Sequence, residues 1–138
     1  MDPQDSEPKT PTVAQWMTSQ PVTIGREQTL SAAHQLMREH GVRHLPVVDQ
    51  GALVGVVSLR ELLLVEALGS APGDAVDDVA IEEACRVSPD DSIAAVAGRM
   101  VARKVGCAVV VEGGRVVGVF TSLDALRLLS GERPAIRP

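Results

Sequence analysis

Aromatic residues are almost missing from this chain. Of 138 residues only Trp16 and Phe120 carry an aromatic ring, and tyrosine does not occur. That shortage argues against a stacking platform for single-stranded nucleic acid or exposed RNA bases. Basic charge is also scarce, with 13 Lys and Arg against 18 Asp and Glu and a net charge of -5. A nucleic-acid partner is therefore not favoured. No apolar run approaches the ~18 residues of a membrane span, so no membrane association is expected. Residues 1–12 are acidic and proline-bearing, without the basic and apolar stretches of a signal peptide. Cys85 and Cys107 are the two cysteines, each in aliphatic surroundings. Two buried, reduced thiols in a cytoplasmic protein are the simplest expectation. Nucleophile elbow, paired-cysteine metal site, HExxH and P-loop are all missing. An enzyme is thus the poorest hypothesis, and neither a metal nor a catalytic cofactor is expected.

What the chain does have is aliphatic mass, including 21 Val and 16 Ala. Hydrophobic residues make up 45% and charged residues 22%, an ordinary globular balance. The length suits one compact domain or two very small ones.

An internal repeat organises that mass. A gap-free offset of 63 pairs residues 22–68 with 85–131, and ten of the 47 pairs are identical. They include Met37/Met100, Val42/Val105, Gly51/Gly114 and Gly55/Gly118, with the acids Glu61 and Asp124 in register. Each unit reads as β-α-β-β-α. A short extended piece (22–24 or 85–87) precedes a helix N-cap, Thr29 or Ser92. The helix presents Leu30, Ala33, Leu36 and Met37 on one face, or Ile93, Val96, Ala97 and Met100. Gly41 suits the end of the first helix. Hairpins follow at 44–48 with 53–57 and at 107–111 with 116–120, then helices at 59–68 and 122–129. His34 and His40 fall on the first helix as solvated residues.

The ends, 1–12 and 132–138, hold Pro3, Pro8, Pro11, Pro134 and Pro138 and are expected to be flexible tails. Residues 69–75 read as a linker between units 13–70 and 71–131. The lead-ins 13–18 and 76–81 keep the offset at Val13/Val76 and predict a short helix before each unit. A unit of this size buries too little surface to stand alone. The fold expected is α/β (α+β): two units sharing one aliphatic core with pseudo-twofold symmetry and facing sheets. Separated halves should fold poorly.

The repeated pieces have a signature. They are Trp16-Met17-Thr18, Pro21-Val22-Thr23, the run 41–49 and the run 55–61, then Val87-Ser88-Pro89-Asp90, 105–112 and 118–124. In this order, twice, they resemble a tandem pair of CBS domains (named from cystathionine β-synthase), a Bateman module, over residues 13–131. The resemblance implies regulation by a bound adenosine-containing ligand: AMP, ADP, ATP, S-adenosylmethionine or a dinucleotide such as NAD. Its motif Gly-x-x-Thr/Ser-x-x-Asp supplies an acid for the ribose hydroxyls and a hydroxyl near ribose or phosphate. The second unit matches in full with Gly118, Thr121 and Asp124. The first has Ser58 but Glu61, whose extra methylene carries the carboxylate past the expected position. Family geometry sets Val22, Thr23 and Ile24 beside Thr121 and Asp124. Arg43 and His44 are candidates for phosphate, and Val22, Ile24, Pro46 and Val119 for aliphatic walls around a purine. Ser58, Glu61, Val87 and Cys107 would form a weaker second cleft. Gly55 and Gly118 would let a purine approach the backbone.

Plainer readings stand beside these. Ser58-x-x-Glu61 and Thr121-x-x-Asp124 are also capping boxes or near relatives. Arg43 and His44 could be ordinary edge residues, and Cys107 simple packing. Residues 59–68 are apolar enough to cover both a core and a homodimer interface. The leading reading is a sensor that acts on a protein partner or on its own assembly. The alternative is a ligand-free dimerisation scaffold.

Overall fold

The computed structural model describes residues 11–132. The first repeat opens with α1 (Val13–Trp16), β1 (Thr18–Ser19) and β2 (Ile24–Gly25). It continues through α2 (Leu30–His40), β3 (His44–Asp49), β4 (Ala52–Ser58) and α3 (Leu59–Ala67). The second runs α4 (Val76–Val79), β5 (Cys85–Val87), α5 (Ile93–Arg103), β6 (Cys107–Glu112), β7 (Arg115–Thr121) and α6 (Ser122–Leu129). The expected β-α-β-β-α order is present twice, and the fold is mixed α and β.

Local chemistry repeats with the 63-residue offset. Thr29 and Ser92 accept the amides of Ala32 and Ala95, each at 3.1 Å, so both caps form as their sequence predicts. Both helices end in the left-handed region, at Gly41 (φ 63) and Lys104 (φ 57). Glycine accepts that conformation freely, whereas lysine does so at a cost. Parallel pairs β2–β3 and β5–β6 flank the antiparallel hairpins β3–β4 and β6–β7. Both hairpins shift register at equivalent places, Val47/Val48 and Val110/Val111.

Strand alternation sorts the side chains into three cores. Leu30, Met37, Leu45, Val47 and Leu62 fill the first, between the β3–β4 hairpin and its helices. Ile93, Met100, Ala108, Val110 and Phe120 fill the second in the same way. The third joins the halves: Leu53 and Val56 from β4 meet Ala84, Cys107 and Val109. β6 shows the alternation plainly, with Cys107 and Val109 toward the other half and Ala108 and Val110 toward α5. One bridge, Ala52 to Arg115, links β4 and β7 into a single seven-stranded sheet of order β2-β3-β4-β7-β6-β5, with β1 paired to β7 off this path.

The lead-in helices form, but each serves the opposite repeat. Val13 is fully buried in the second core. Its amide donates to Asp91 O at 2.8 Å, and Pro11 O accepts the Ile93 amide at 2.9 Å. Val76 and Ala80 lie in the first core, and the Val76 amide donates to Gln28 O at 2.8 Å. Arg26 pairs with Asp77 at 3.1 Å and Asp49 at 3.2 Å, fastening α4 to that repeat. Of the expected tails, residues 1–10 and 133–138 lie outside the described residues. Pro11 and Thr12 are not loose, since Thr12 also bridges Ser92.

His34 departs from its expected solvated place: its Nε2 meets the Glu66 carboxylate and ties α2 to α3.

Candidate functional site

Two clefts lie where the repeats meet. The crossing of each lead-in creates them: β1 pairs with β7 at Val119 and Gly118, while Glu82 bridges Val56. This close crossing explains Gly55 and Gly118. A Cβ at Gly118 would lie 2.3 Å from Met17 Sδ, and one at Gly55 would lie 2.7 Å from Glu82 O. The expectation that these glycines make room for a purine is thus corrected. The chain itself fills that space.

The Asp124 cleft has a volume of about 780 Å³. Thr18, Gln20, Pro21 and Val22 form one wall, Val119, Thr121 and Asp124 another, and Arg43 and His44 a third. Asp124 is 5% exposed. Its Oδ2 accepts the Thr121 amide at 2.9 Å and the Thr121 hydroxyl at 3.2 Å, and Oδ1 meets Arg127 at 3.4 Å. The cap foreseen as the plainer reading is therefore present, and the same carboxylate borders the cleft.

The Glu61 cleft has a volume of about 930 Å³. Ser58 Oγ accepts the Glu61 amide at 3.1 Å, so the hydroxyl caps α3 while the Glu61 carboxylate is directed elsewhere. It faces Glu82. Desolvation raises the Glu82 carboxyl above the usual range, and the hydrogen bond and charge of Glu61 add to this, partly offset by Arg60. Lys104 and Arg60 also line this cleft.

Of the residues expected around Asp124, the structure brings together Thr121, Val22, Arg43, His44 and Val119. It places Ile24 in the first core at 3% exposure, and Pro46 is fully buried on β3. Thr23 does not line the cleft either. Ser58, Glu61 and Cys107 meet in the Glu61 cleft as expected, but Val87 points into the second core. A wall role is corrected for Ile24 and Val87 because they turn into the repeat cores, and for Pro46 because it is fully buried on the strand face opposite Leu45 and Val47. Sequence reasoning missed Gln20, Arg127, Glu82 and Lys104.

Electrostatics refine two roles. Burial pushes the His44 imidazole below its ordinary value, and the Arg43 charge adds to this. His44 is therefore a neutral hydrogen-bonding group at neutral pH rather than a cation. Burial also drives the Cys107 thiol up to about 12, with the Cys85 and Asp124 charges contributing. Both cysteines are free and buried, and Cys107 is held protonated. Among the described residues no group of three or more His, Cys, Asp or Glu is placed to hold a metal, and no helix is long and apolar enough to cross a membrane.

Against known families, the CBS domain matches residues 13–67 and again 76–131. This chain belongs to the CBS domain family. Its CBS pair is similar to part of the A-adding tRNA nucleotidyltransferase of Geobacter sulfurreducens, 32% identical over 120 residues. That match takes in 86% of this chain but 13% of the enzyme. The chain likewise spans 43% and 24% of two further curated relatives. Among solved structures, it resembles the CBS domain pair of protein MJ0100 in complex with 5′-methylthioadenosine and S-adenosyl-L-methionine. The TM-score is 0.83 at 25% identity, over 89% of this chain and 98% of that one. CBSX2 in complex with AMP gives 0.75 at 26% identity, over 87% and 96%.

Proposed function

We propose that this CBS pair is a regulatory module that takes an adenosine-containing ligand in the Asp124 cleft. Occupancy then acts on a protein partner or on the module's own assembly. The observation that carries this reading is Asp124: a buried carboxylate at the cleft wall, at the start of α6, opposite the uncommitted cation Arg43. A carboxylate accepts both hydroxyls of a ribose in charge-assisted bonds. Pro21, Val22 and Val119 offer aliphatic walls to a base, in keeping with a chain that has almost no aromatic rings. Adenosine ligands in two similar CBS pairs support the same class here. The Glu61 cleft is the less suited to a ribose, because Glu61 and Glu82 bring two carboxylates together there.

The test is thermal unfolding with AMP, ADP, ATP, S-adenosylmethionine and NAD, on the native chain and on Asp124→Ala. A ligand at a hundred times its Kd stabilises by about 2.7 kcal/mol. At least one ligand should raise the melting temperature, and Asp124→Ala should remove the rise. No response across the panel would refute the sensor.

A homodimer accompanies this reading under a separate observation. Leu63 and Leu64 on α3, Leu68 just after it, and Leu123, Leu126 and Leu129 on α6 are 51–78% exposed. Leu63 and Leu126 are repeat equivalents, so the patches suit a two-fold interface. Sedimentation should show a dimer that Leu63→Glu with Leu126→Glu converts to monomer. A native monomer would discard the dimer and leave the ligand reading standing.

A further inference from the structure

The two clefts are not separate compartments. Arg43 and His44 line both of them, whereas their repeat equivalents, Gly106 and Cys107, line the Glu61 cleft alone. Gly106 lies against the His44 ring, within ordinary van der Waals range. A Cβ there would stand 3.2 Å from Ser122 Oγ and 3.9 Å from the His44 ring.

Arg43 is exposed, and among the described residues it has no carboxylate partner. The other permanent cations are private. Arg60 and Lys104 line the Glu61 cleft, while Arg127 lines the Asp124 cleft and is already paired with Asp124 and Glu132. A guanidinium grips one phosphate with a planar fork, and a fork turned to one side is lost to the other.

We infer that Arg43 couples the clefts: it serves an anionic group in either one but not in both. A phosphate-bearing ligand in one cleft therefore weakens binding of a second in its neighbour. The effect is reciprocal, because coupling between two sites is a single free energy. A ligand without phosphate escapes it. This inference rests on the adenosine-ligand reading and adds a rule for how the two sites fill.

Site-resolved NMR titration with AMP and with adenosine tests it. The Lys104 amide reports the Glu61 cleft alone, and the Leu123 amide reports the Asp124 cleft alone. Leu64→Trp and Leu123→Trp fill one cleft each with an uncharged side chain, at positions exposed by 51% and 57%. Each is read from the amide of the other cleft. The cleft that fills second with AMP should bind it at least about fivefold tighter once its neighbour is closed, the lower end of ordinary coupling. The gain should vanish for adenosine and in an Arg43→Gln background. Unchanged constants on closing the neighbour overturn the coupling, as does a cleft that never takes AMP. A gain that survives Arg43→Gln overturns the role of Arg43. If neither amide responds to AMP or adenosine, the adenosine reading has failed as well, a result distinct from two filled but indifferent clefts.

Discussion

Asp124 is folded back onto Thr121, accepting its amide at 2.9 Å and its hydroxyl at 3.2 Å through one oxygen. The carboxylate therefore has two tasks. It caps α6, and among the described residues it is the one acid lining its cleft. The first repeat divides the same tasks, since Ser58 caps α3 and Glu61 faces Glu82.

The two tasks separate by substitution. Asp124→Ala should cost about 1 kcal/mol through the lost cap, and it should abolish ligand-induced stabilisation. Asp124→Asn keeps an acceptor for the Thr121 amide, so it should recover most of the stability while still losing the charge-assisted grip on a ribose. Urea unfolding with and without ligand reads both. A full ligand response in Asp124→Asn would show that the charge is not needed.

The two strand glycines should differ in cost. At Gly55 an added methyl meets the Glu82 carbonyl, part of the backbone, at 2.7 Å. At Gly118 the nearest atom is Met17 Sδ at 2.3 Å, the flexible part of a side chain, with Thr18 O at 3.0 Å. Overpacking of this kind costs about 1–3 kcal/mol. Gly55→Ala should be the more destabilising in urea, and the reverse order would mean that the lead-in at Glu82 yields more readily than Met17.

Val13→Ala should destabilise by about 1–3 kcal/mol, as expected for a fully buried side chain. Its location is the sharper prediction. Amide exchange should quicken around Ile93, Val96 and Phe120 in the second core, with little change around Leu30 and Leu45 in the first. Disturbance centred on the first core would contradict the crossing of α1.

His44 makes a signed contribution to pH dependence. Burial lowers its folded pKa, with Arg43 adding, so the unfolded chain binds the extra proton first. Stability from this group is full above the ordinary imidazole value of about 6.5 and declines as pH falls below it. Unfolding midpoints measured from pH 7.5 to 5.5 should drop more steeply for the native chain than for His44→Gln. Equal slopes would place His44 in water.

The repeat, the element order and both helix caps were legible because they rest on local rules: period, offset and side-chain reach within one turn. Thr29, Ser92, Thr121 and Asp124 all act within three residues of themselves. What the sequence concealed is which surface meets which. An offset says that Val13 and Val76 are alike, but it does not say that each is buried against the far repeat. Ile24, Pro46 and Val87 lie in apolar stretches where alternation does not tell the inward face from the cleft face. Arg43 and His44 were picked out as an unmatched basic pair. Their reach into both clefts depends on how the halves meet in space, which the offset alone does not display.

The crossing of α1 and α4 has a topological consequence. The chain is a tandem in its covalent order, yet spatially it is two bodies that have exchanged arms. Scission between residues 69 and 73 would divide the polypeptide without dividing the protein. Each fragment would still hold a helix that completes the other's interior, and the pair should travel as one particle until denatured. A single repeat made alone would carry an arm with no matching socket. Two copies of it could meet that need only by clasping one another.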